Sequence, residues 1–256
     1  MISVYDEVSG EDFNALYGDI GFYEFLNNDL THHGFTYKLG LNIDTKQFMP
    51  YDTCSDGGLY FCCESNCHLF WQNFGTKLAF VTIPYDARVY IESDKFKTDR
   101  LIINHIQDFK DVSDEFWIRI LLKDTSVLRF IKGQTDDICK YAIQQNYSAL
   151  QFVRDQMDEI CRFAIRENSY ALQFIKDQTR EICIFAVWIN GLALQYVFDQ
   201  TDEICRVAVG RNGLALQYVK HPTDDICMIA VQQNGFALQY VKESIQTKKI
   251  CRSAIE

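Results

Sequence analysis

Apolar and polar positions in the C-terminal half of the chain recur every 22 residues. At this step cysteine, alanine, asparagine and leucine each form a column, that is, one position of successive copies. The cysteine column contains Cys139, Cys161, Cys183, Cys205 and Cys227, and Cys251 follows after a two-residue insertion. Self-similarity at a fixed period is typical of repeat architectures, so the pattern predicts a stack of equivalent units.

One copy, Thr201 to Lys220, contains the signals of two helices. Thr201 is a favourable N-cap, and the acidic residues after it suit the positive end of the helix dipole. The first helix then has one apolar stripe, made of Ile204, Cys205, Ala208 and Val209. Asn212 and Gly213 predict a left-handed turn that ends it. The following residues are apolar around most of the circumference, which predicts a shorter second helix as the buried one of the pair.

A unit of 22 residues is too small to cover its own second helix, so neighbouring copies must stack and share a core. A degenerate copy, copy 1, begins at Ser113, and five clear ones, copies 2 to 6, follow it. Copy 7 stops at Glu256 before its second helix. The sequence therefore predicts an all-α solenoid over residues 106–256, with about six helix-turn-helix repeats and a partial last one.

Residues 1–105 lack this period and predict an α+β head domain. Runs of β-branched and aromatic residues bounded by turn signals predict strands at Phe22–Leu26, Gly58–Cys63, Leu78–Ile83 and Arg88–Glu92. A short helix is expected at Leu69–Phe74. Residues 1–20 are acidic, and we expect this segment to be flexible. The predicted fold class is an α+β domain followed by an α-solenoid.

Charge and composition exclude several classes of partner. The formal net charge of the 256 residues is -10, so the chain repels phosphate backbones and nucleic acid is not expected as a partner. Residues 1–37 contain seven acids and no Lys or Arg, unlike a basic targeting segment. No apolar run approaches the ~20 residues of a membrane helix. With six of ten cysteines inside helical pattern, we expect reduced thiols and an intracellular protein.

Cysteines raise the question of a metal site. Helices of successive copies pack ~8–10 Å apart, so one cysteine per copy does not converge on an ion, and the column predicts buried small side chains. In the head, Cys62, Cys63, Cys67 and His68, with Cys54 upstream, offer a zinc alternative. Their spacing lacks the paired C-x2-C of zinc knuckles. We therefore predict no metal and no cofactor.

The third clear copy, copy 4, departs from the others at four outward positions, which are Ile184, Trp188, Ile189 and Phe198. The other copies have mostly polar or charged residues in these columns. Exposed apolar groups that include tryptophan are typical of interface centres. The hypothesis is that these residues contact a protein partner or a second copy of the chain; the alternative is that the head covers them.

A glutamine column in the second helices admits three interpretations. Its members are Gln151, Gln173, Gln195, Gln217 and Gln239. They form an amide ladder between copies, bond to loop backbone, or line a binding groove.

Four segments of the head resemble the N-terminal module of repeat proteins from giant amoeba viruses of the mimivirus type. They are H-G-F-T-Y-K-L-G-L-N (His33–Asn42), C-S-D-G-G-L-Y-F (Cys54–Phe61), V-T-I-P-Y-D-A-R-V (Val81–Val89) and D-K-F-K-T-D-R (Asp94–Arg100). In those relatives ankyrin repeats often follow the module. The 22-residue units of this chain are similar to helical repeats of unknown function that also occur in giant viruses. The resemblance implies an uncharacterised viral protein acting in the host cell, and it supplies no activity.

A second likeness is to ADP-ribosyltransferases. His33-Gly34 and Gly58-Leu59-Tyr60-Phe61 occur in the order in which such enzymes place a histidine on the nicotinamide ribose and a tyrosine against the nicotinamide ring. The resemblance implies Glu92 as the catalytic glutamate. Short H-G and G-x-Y-F elements are equally typical of structural turns and strands.

Together these observations predict a non-enzymatic protein-protein interaction scaffold of viral origin in the host cytoplasm, with the nucleus and the virion as alternative locations. The alternative function is a diverged ADP-ribosyltransferase-like head displayed on a repeat array. Self-association through the copy 4 residues is a third prediction.

Overall fold

The computed structural model describes residues 4–50, 57–70 and 76–254. Strands lie between residues 7 and 108 and repeated helices between 114 and 253, so the prediction of an α+β region followed by an α-solenoid is confirmed. The chain divides into two compact units, residues 1–135 and 136–256. The first unit therefore includes copy 1 and extends beyond residue 105, where the sequence suggests the head ends.

The first unit is built around an antiparallel sheet of eight strands in the order β1-β8-β9-β6-β2-β7-β10-β5, with a separate β3-β4 hairpin. The strands are β1 (Glu7–Ser9), β2 (Phe22–Leu26), β3 (Thr31–His32), β4 (Phe35–Thr36), β5 (Gly40–Ile43), β6 (Leu59–Cys63), β7 (Lys77–Thr82), β8 (Arg88–Ile91), β9 (Phe96–Thr98) and β10 (Arg100–Asp108). The four predicted strands are confirmed. The short helix begins earlier than expected, as α2 (Cys67–Phe70), and residues 71–74 of the prediction lie outside the described residues.

The acidic N-terminal segment forms β1 and then α1 (Gly10–Tyr17), in place of the flexible segment expected. The Ser9 hydroxyl accepts the Asp12 N–H and caps the helix. Phe13 is fully buried, with its ring centroid 5.0 to 5.7 Å from those of Phe22, Phe61 and Phe96. Phe13 anchors this helix, and Tyr17 packs beside it with its ring centroid 5.0 Å from that of Phe13.

The opposite face of β2 packs against α3 (Asp114–Leu121). Tyr23 meets Phe116 with ring centroids 5.3 Å apart, and Phe25 meets Phe109 at 6.0 Å. Helical residues therefore cover both faces, which explains why all five residues of β2 are buried.

Copies 1 to 6 each pair an α-helix with a six-residue 3-10 helix, and copy 7 contributes an α-helix. The α-helices are α3, α4 (Asp136–Gln145), α5 (Asp158–Glu167), α6 (Arg180–Ile189), α7 (Asp202–Arg211), α8 (Asp224–Gln233) and α9 (Lys248–Ser253). The 3-10 helices are Thr125–Phe130, Tyr147–Phe152, Ser169–Phe174, Gly191–Tyr196, Gly213–Tyr218 and Gly235–Tyr240. In the second unit the α-helices of the clear copies bury the predicted stripe, including the cysteine column.

The second helix is a 3-10 helix, whereas the sequence suggested an α-helix that is the buried partner. Six residues span ~12 Å in 3-10 geometry but ~9 Å as an α-helix, so the larger rise per residue of the 3-10 helix comes closer to the length of the ten-residue helix beside it. In copy 5, Ala215 and Leu216 are buried while Gln217 is exposed. Both helices of a copy thus bury one face.

The prediction of a left-handed stop at Asn212-Gly213 is wrong. Asn212 is extended, with φ -150° and ψ 109°, and its side chain accepts the Leu214 N–H to start the 3-10 helix. Gly213 is required for space, because a Cβ there would stand 2.3 Å from the Ala230 carbonyl oxygen of copy 6. The Asn-Gly pair therefore serves capping and close packing.

A different glutamine column, directly before the α-helix N-caps, joins neighbouring copies. Gln178 Nε2 donates to the carbonyl oxygens of Leu172 and Tyr196 at 3.0 and 2.9 Å, and its Oε1 accepts the Phe198 N–H at 3.0 Å. Gln156 and Gln200 make the same three bonds. This column was not predicted, although its 22-residue spacing is visible in the sequence.

Candidate functional site

The copy 4 residues are the most distinctive surface feature of the array. The side chains of Trp188 and Phe198 are 61% and 56% exposed, whereas Ile184 and Ile189 are half-buried. In the column of Trp188 the next copy has Gly210, which has no side chain to cover the indole. Two large apolar groups of one copy are thus left in solvent within the second unit.

Trp188 and Phe198 lie near opposite ends of α6. The Phe198 backbone is bonded to Gln178, which stands just before the Thr179 N-cap of that helix. Trp188 is in the last turn, ~13 Å further along the axis. Ile184 and Ile189 belong to the helix with Trp188. The four predicted residues therefore form two groups: Ile184, Trp188 and Ile189 lie on α6, and Phe198 lies beside the N-terminus of that helix.

Members of the predicted glutamine column bond to their own backbone. Gln195 Nε2 donates to the Leu192 carbonyl at 3.1 Å, and Gln151, Gln173 and Gln217 do the same three residues back. Gln173 and Gln195 also line a cavity of about 380 Å³ beside Phe198. They do not bond to one another across copies; that role belongs to the column of Gln178.

In the head, His33 and Tyr60 flank a cavity of about 230 Å³. The two ring centroids are 5.8 Å apart. His33 and Gly34 form the turn between β3 and β4, and both have positive φ, 46° and 75°, as a type I′ hairpin turn requires. The hairpin holds the imidazole against Tyr60, and Leu69 and Phe70 of α2 line the apolar side.

Glu92, the third residue of the enzyme alternative, lies behind Lys95. Its carboxyl is 3.6 Å from Lys95 Nζ and 4% exposed, and Lys95 Nζ stands 4.9 Å from the Tyr60 ring centroid. Burial raises the pKa of Glu92, and Lys95 opposes the shift. Glu92 Oε1 has no hydrogen-bond partner among the described residues. Of the three residues, His33 and Tyr60 line the cavity, whereas Glu92 is paired with Lys95, which lines it.

A buried carboxyl that the sequence analysis missed forms another wall of the cavity. Glu24 on β2 is bonded to His32 Nδ1, and both side chains line the cavity. Burial raises the pKa of Glu24, and the His32 contact lowers it in part. The signal was available, because Glu24 interrupts the apolar run Phe22–Leu26. A buried ionisable group in a cavity is a common property of binding sites.

Close packing requires glycine at positions 57 and 58. Both have positive φ, 85° and 147°, and a Cβ on Gly58 would stand 2.6 Å from Lys97 Cε. Lys97 is fully buried, and its Nζ donates to the Met49 carbonyl at 2.7 Å. The G-x-Y-F element therefore makes room for a buried lysine beside Tyr60.

The cysteines and histidine of the zinc alternative do not gather at one point. Cys62 Sγ is 3.6 Å from Cys67 Sγ, whereas Cys63 lies in the core cluster on the other face of β6. Cys54 lies outside the described residues. Within residues 4–50, 57–70 and 76–254, no group of three His, Cys, Asp or Glu side chains is arranged to hold a metal.

The cysteine column is buried, as predicted. The five cysteines from Cys139 to Cys227 are at most 4% exposed. Desolvation by burial raises the pKa of Cys139, Cys161 and Cys183 to about 11. These thiols are therefore protonated at neutral pH and act as small apolar side chains.

Comparison with known proteins supports a giant-virus repeat protein. The chain is 33% identical over 97 residues to a putative ankyrin repeat protein, R868, of Acanthamoeba polyphaga mimivirus, covering 35% of this chain and 48% of that protein. It is 39% identical over 67 residues to the uncharacterized protein R869 of the same virus, covering 25% and 48%. The chain thus spans about half the length of the curated relatives it matches.

Within the array, residues 202–246 match the model of a domain of unknown function, DUF4116. No solved structure matches the chain. In the part of the chain that the structure describes, none of the helices has the length and apolar character needed to span a bilayer.

Proposed function

We propose that this protein is a non-enzymatic interaction scaffold whose helical copies hold a protein partner. The observation that carries the proposal is the exposure of Trp188 and Phe198 in columns that other copies fill mainly with polar residues. Similarity to a mimivirus protein named for its repeats supports it. Stacked copies expose an extended surface in which one divergent copy marks a binding position.

The test is affinity purification of the full chain from infected or transfected cells, with Trp188→Asp compared with wild type. Loss of a partner is expected, because a carboxylate in place of an indole removes an apolar anchor and opposes its burial. Phe236→Asp is the matched control, since Phe236 of copy 6 is 79% exposed and lies outside copy 4. Identical recovery with all three proteins, each folded by circular dichroism, would end the proposal.

Sedimentation of the purified protein distinguishes self-association from binding of a different protein. If the chain forms an oligomer that Trp188→Asp dissolves and Phe236→Asp leaves intact, the occupant of the surface is a second copy.

We also propose that the chain is a viral protein whose head is the N-terminal module of giant-virus repeat proteins, and that it acts in the host cytoplasm. Localisation of a tagged chain during infection tests this. Signal confined to the nucleus or to virions would replace the cytoplasm by that compartment.

A second candidate function is an ADP-ribosyltransferase-like head. The observation that favours it is the cavity at which His33 and Tyr60 meet, with Lys95 linking Tyr60 to Glu92. Incubation with labelled NAD would give binding, transfer or glycohydrolysis that His33→Asn reduces, because asparagine keeps the left-handed turn but removes the imidazole. His105→Asn, exposed on β10, is the control. Absence of all three activities removes this candidate.

A further inference from the structure

One edge of the eight-stranded sheet is apolar and exposed. β5 is the last strand of the sheet and, among the described residues, pairs with β10 alone. Leu41 and Ile43 on this strand are 46% and 47% exposed, and Leu39, directly before it, is 64% exposed. Natural proteins commonly protect a free edge strand with charged residues or proline. The four residues of β5 include neither.

The opposite edge of the sheet shows the usual protection. There β1 presents Glu7 and Ser9 to solvent, with the half-buried Val8 between them. Glu7 also forms an ion pair with Arg88 of the neighbouring strand. A polar, charged strand of this kind discourages pairing with another strand, so the apolar character of β5 is a property of one edge and not of the whole sheet.

The backbone groups at the free edge of β5 belong to its apolar residues. The Asp44 N–H, directly after the strand, donates to the Asp99 carbonyl at 3.0 Å. In an antiparallel pair, alternate residues direct their N–H and C=O groups to the same neighbour, so the even-numbered residues of β5 face β10. The groups of Leu41 and Ile43 therefore point away from β10, where a further strand can pair with them.

The apolar residues along this edge are complementary to themselves in one antiparallel register. With a second copy of β5 centred on Leu41, that leucine lies opposite its counterpart, and Leu39 lies opposite Ile43. Leu41 and its counterpart then exchange both of their N–H···O bonds. Opposed side chains of neighbouring strands contact one another, so the three exposed apolar residues of each copy cover those of the other.

Charged residues beside β5 favour this same register. It places Lys38, which is exposed, opposite Asp44 of the second copy at both ends of the paired segment. The Asp44 carboxylate is held in place by the N–H groups of Lys46 and Gly58, at 3.0 and 2.6 Å. Moving the centre to Asn42 would instead oppose Lys38 and Lys46, and like charges directly opposite are destabilising.

We propose that β5 is an interface at which two copies of this chain pair edge to edge, antiparallel and centred on Leu41, so that their two sheets become one. The arrangement has two-fold symmetry, which is the commonest symmetry of protein dimers. This inference goes beyond the proposed scaffold function, because it concerns the first unit and uses none of the copy 4 residues.

Two effects limit the strength of this dimer. The formal net charge of -10 on each copy opposes association, but at physiological salt the Debye length of ~8 Å confines the repulsion to near neighbours. Pairing through one short strand also lies at the lower end of interface sizes. We therefore expect a dimer that forms and dissociates with protein concentration.

An extended segment of another protein is the competing occupant, because any strand can bond to the open backbone groups. Such a segment gives no reason for Lys38 and Asp44, which have opposite charges, to stand at equal distances from Leu41 along the chain. A second copy of the chain accounts for this spacing, since each charge then meets its opposite.

Sedimentation velocity of the full chain over about a hundredfold range of concentration tests the dimer, because association follows mass action. The sedimentation coefficient is expected to rise from that of a monomer toward that of a dimer. Leu41→Lys should keep the protein monomeric throughout, because two ammonium groups would face each other across the two-fold axis. Leu16→Lys is the matched control, since Leu16 on α1 is 52% exposed, and it should sediment like wild type.

The charge pairs are tested at Lys38. Lys38→Glu places a carboxylate opposite Asp44 at both ends and is expected to weaken dimerisation about tenfold. Lys38→Arg keeps the positive charge and should leave the dimerisation constant close to that of wild type. Equal effects of the two variants would show that charge does not contribute to the pairing and would overturn the register.

Cysteine substitutions test the register directly. The Cα atoms of a hydrogen-bonded antiparallel pair are ~5.5 Å apart, which is within the range of a disulfide. Leu41→Cys is therefore expected to link two chains under mild oxidation, as seen on a non-reducing gel. Ile43→Cys is the control, because its counterpart lies four residues away, ~13 Å along the strand, and it should cross-link no more than wild type.

A chain that stays monomeric at every concentration would overturn the proposal, as would a dimer that survives Leu41→Lys. Cross-linking through Ile43→Cys in place of Leu41→Cys would overturn the pairing centred on Leu41. If the chain is monomeric and Leu41→Lys loses a captured partner, the edge belongs to a strand of a different protein. A dimer that Trp188→Asp dissolves and Leu41→Lys leaves intact would assign self-association to copy 4. Because the two substitutions lie in different units, failure of this interface and failure of the scaffold are distinguishable.

Discussion

The two compact units bury apolar surface in different ways. In the first unit, large aromatic side chains that each occur once interlock, as Phe13 does with Phe22, Phe61 and Phe96. In the second unit, small side chains recur in columns, and Ala186, Ala208 and Ala230 are all fully buried. Because the same residue types recur in each column, a copy whose residues differ is easily recognised, and function can therefore be sought in copy 4. A unique core offers no such internal reference, and its cavity had to be found in three dimensions.

The largest effect is expected from Phe13→Ala. Removing a fully buried aromatic ring should cost about 3–5 kcal/mol and unfold much of the first unit. If the units are independent, helical signal from residues 136–256 should persist in a thermal melt followed by circular dichroism. Loss of both units in one transition would break the comparison, because it would make the array depend on the head.

Gly213→Ala tests close packing between copies. The added Cβ would stand 2.3 Å from the Ala230 carbonyl oxygen, so the free energy of unfolding should fall by roughly 1–3 kcal/mol. Gly210→Ala is the control, because its Cβ would meet nothing closer than Ile229 at 3.8 Å, and it should gain about 0.5–1 kcal/mol. Urea unfolding that changes in the same direction for both variants would contradict this account.

The two glutamine columns should differ in energetic weight. Gln178→Ala removes two bonds that join copies 3 and 4 and one within copy 3, and we expect a loss of about 1–2 kcal/mol. Gln195→Ala removes one bond within an exposed turn and should change stability little. Comparable losses in urea unfolding would show that the copies are not held together by this column.

The buried thiols predict alkaline destabilisation of the second unit. Cys161 loses its proton near pH 9 when unfolded and at about 11 when buried, so the folded state holds more protons in this window and stability falls as pH rises. Its contribution is fully present below pH 9. Cys161→Ala should flatten the decline by up to about 1.4 kcal/mol per pH unit. Parallel stability curves for both proteins from pH 8 to 11 would refute the shift.

The smallest effect is a gain. Copy 3 has Met157 at the N-cap of α5, without a side-chain cap bond, where Thr179 and Thr201 cap the next two helices. Met157→Thr should add about 1 kcal/mol, because a threonine hydroxyl accepts an otherwise unbonded N–H. The transition temperature of the second unit measures this. A neutral result would mean that equivalent positions are not energetically equivalent.

Sequence by itself determined the period, the α-helices, their threonine caps and the divergence of copy 4, because these depend on neighbours within one turn or on comparison between copies. It also located four strands of the head. Only the tertiary structure showed that the second helices are 3-10 helices, that Gly213 leaves room for the Ala230 carbonyl oxygen, and that Glu24 is bonded to His32 beside Tyr60. These features depend on how separate elements pack against one another, and packing distances there override local preference.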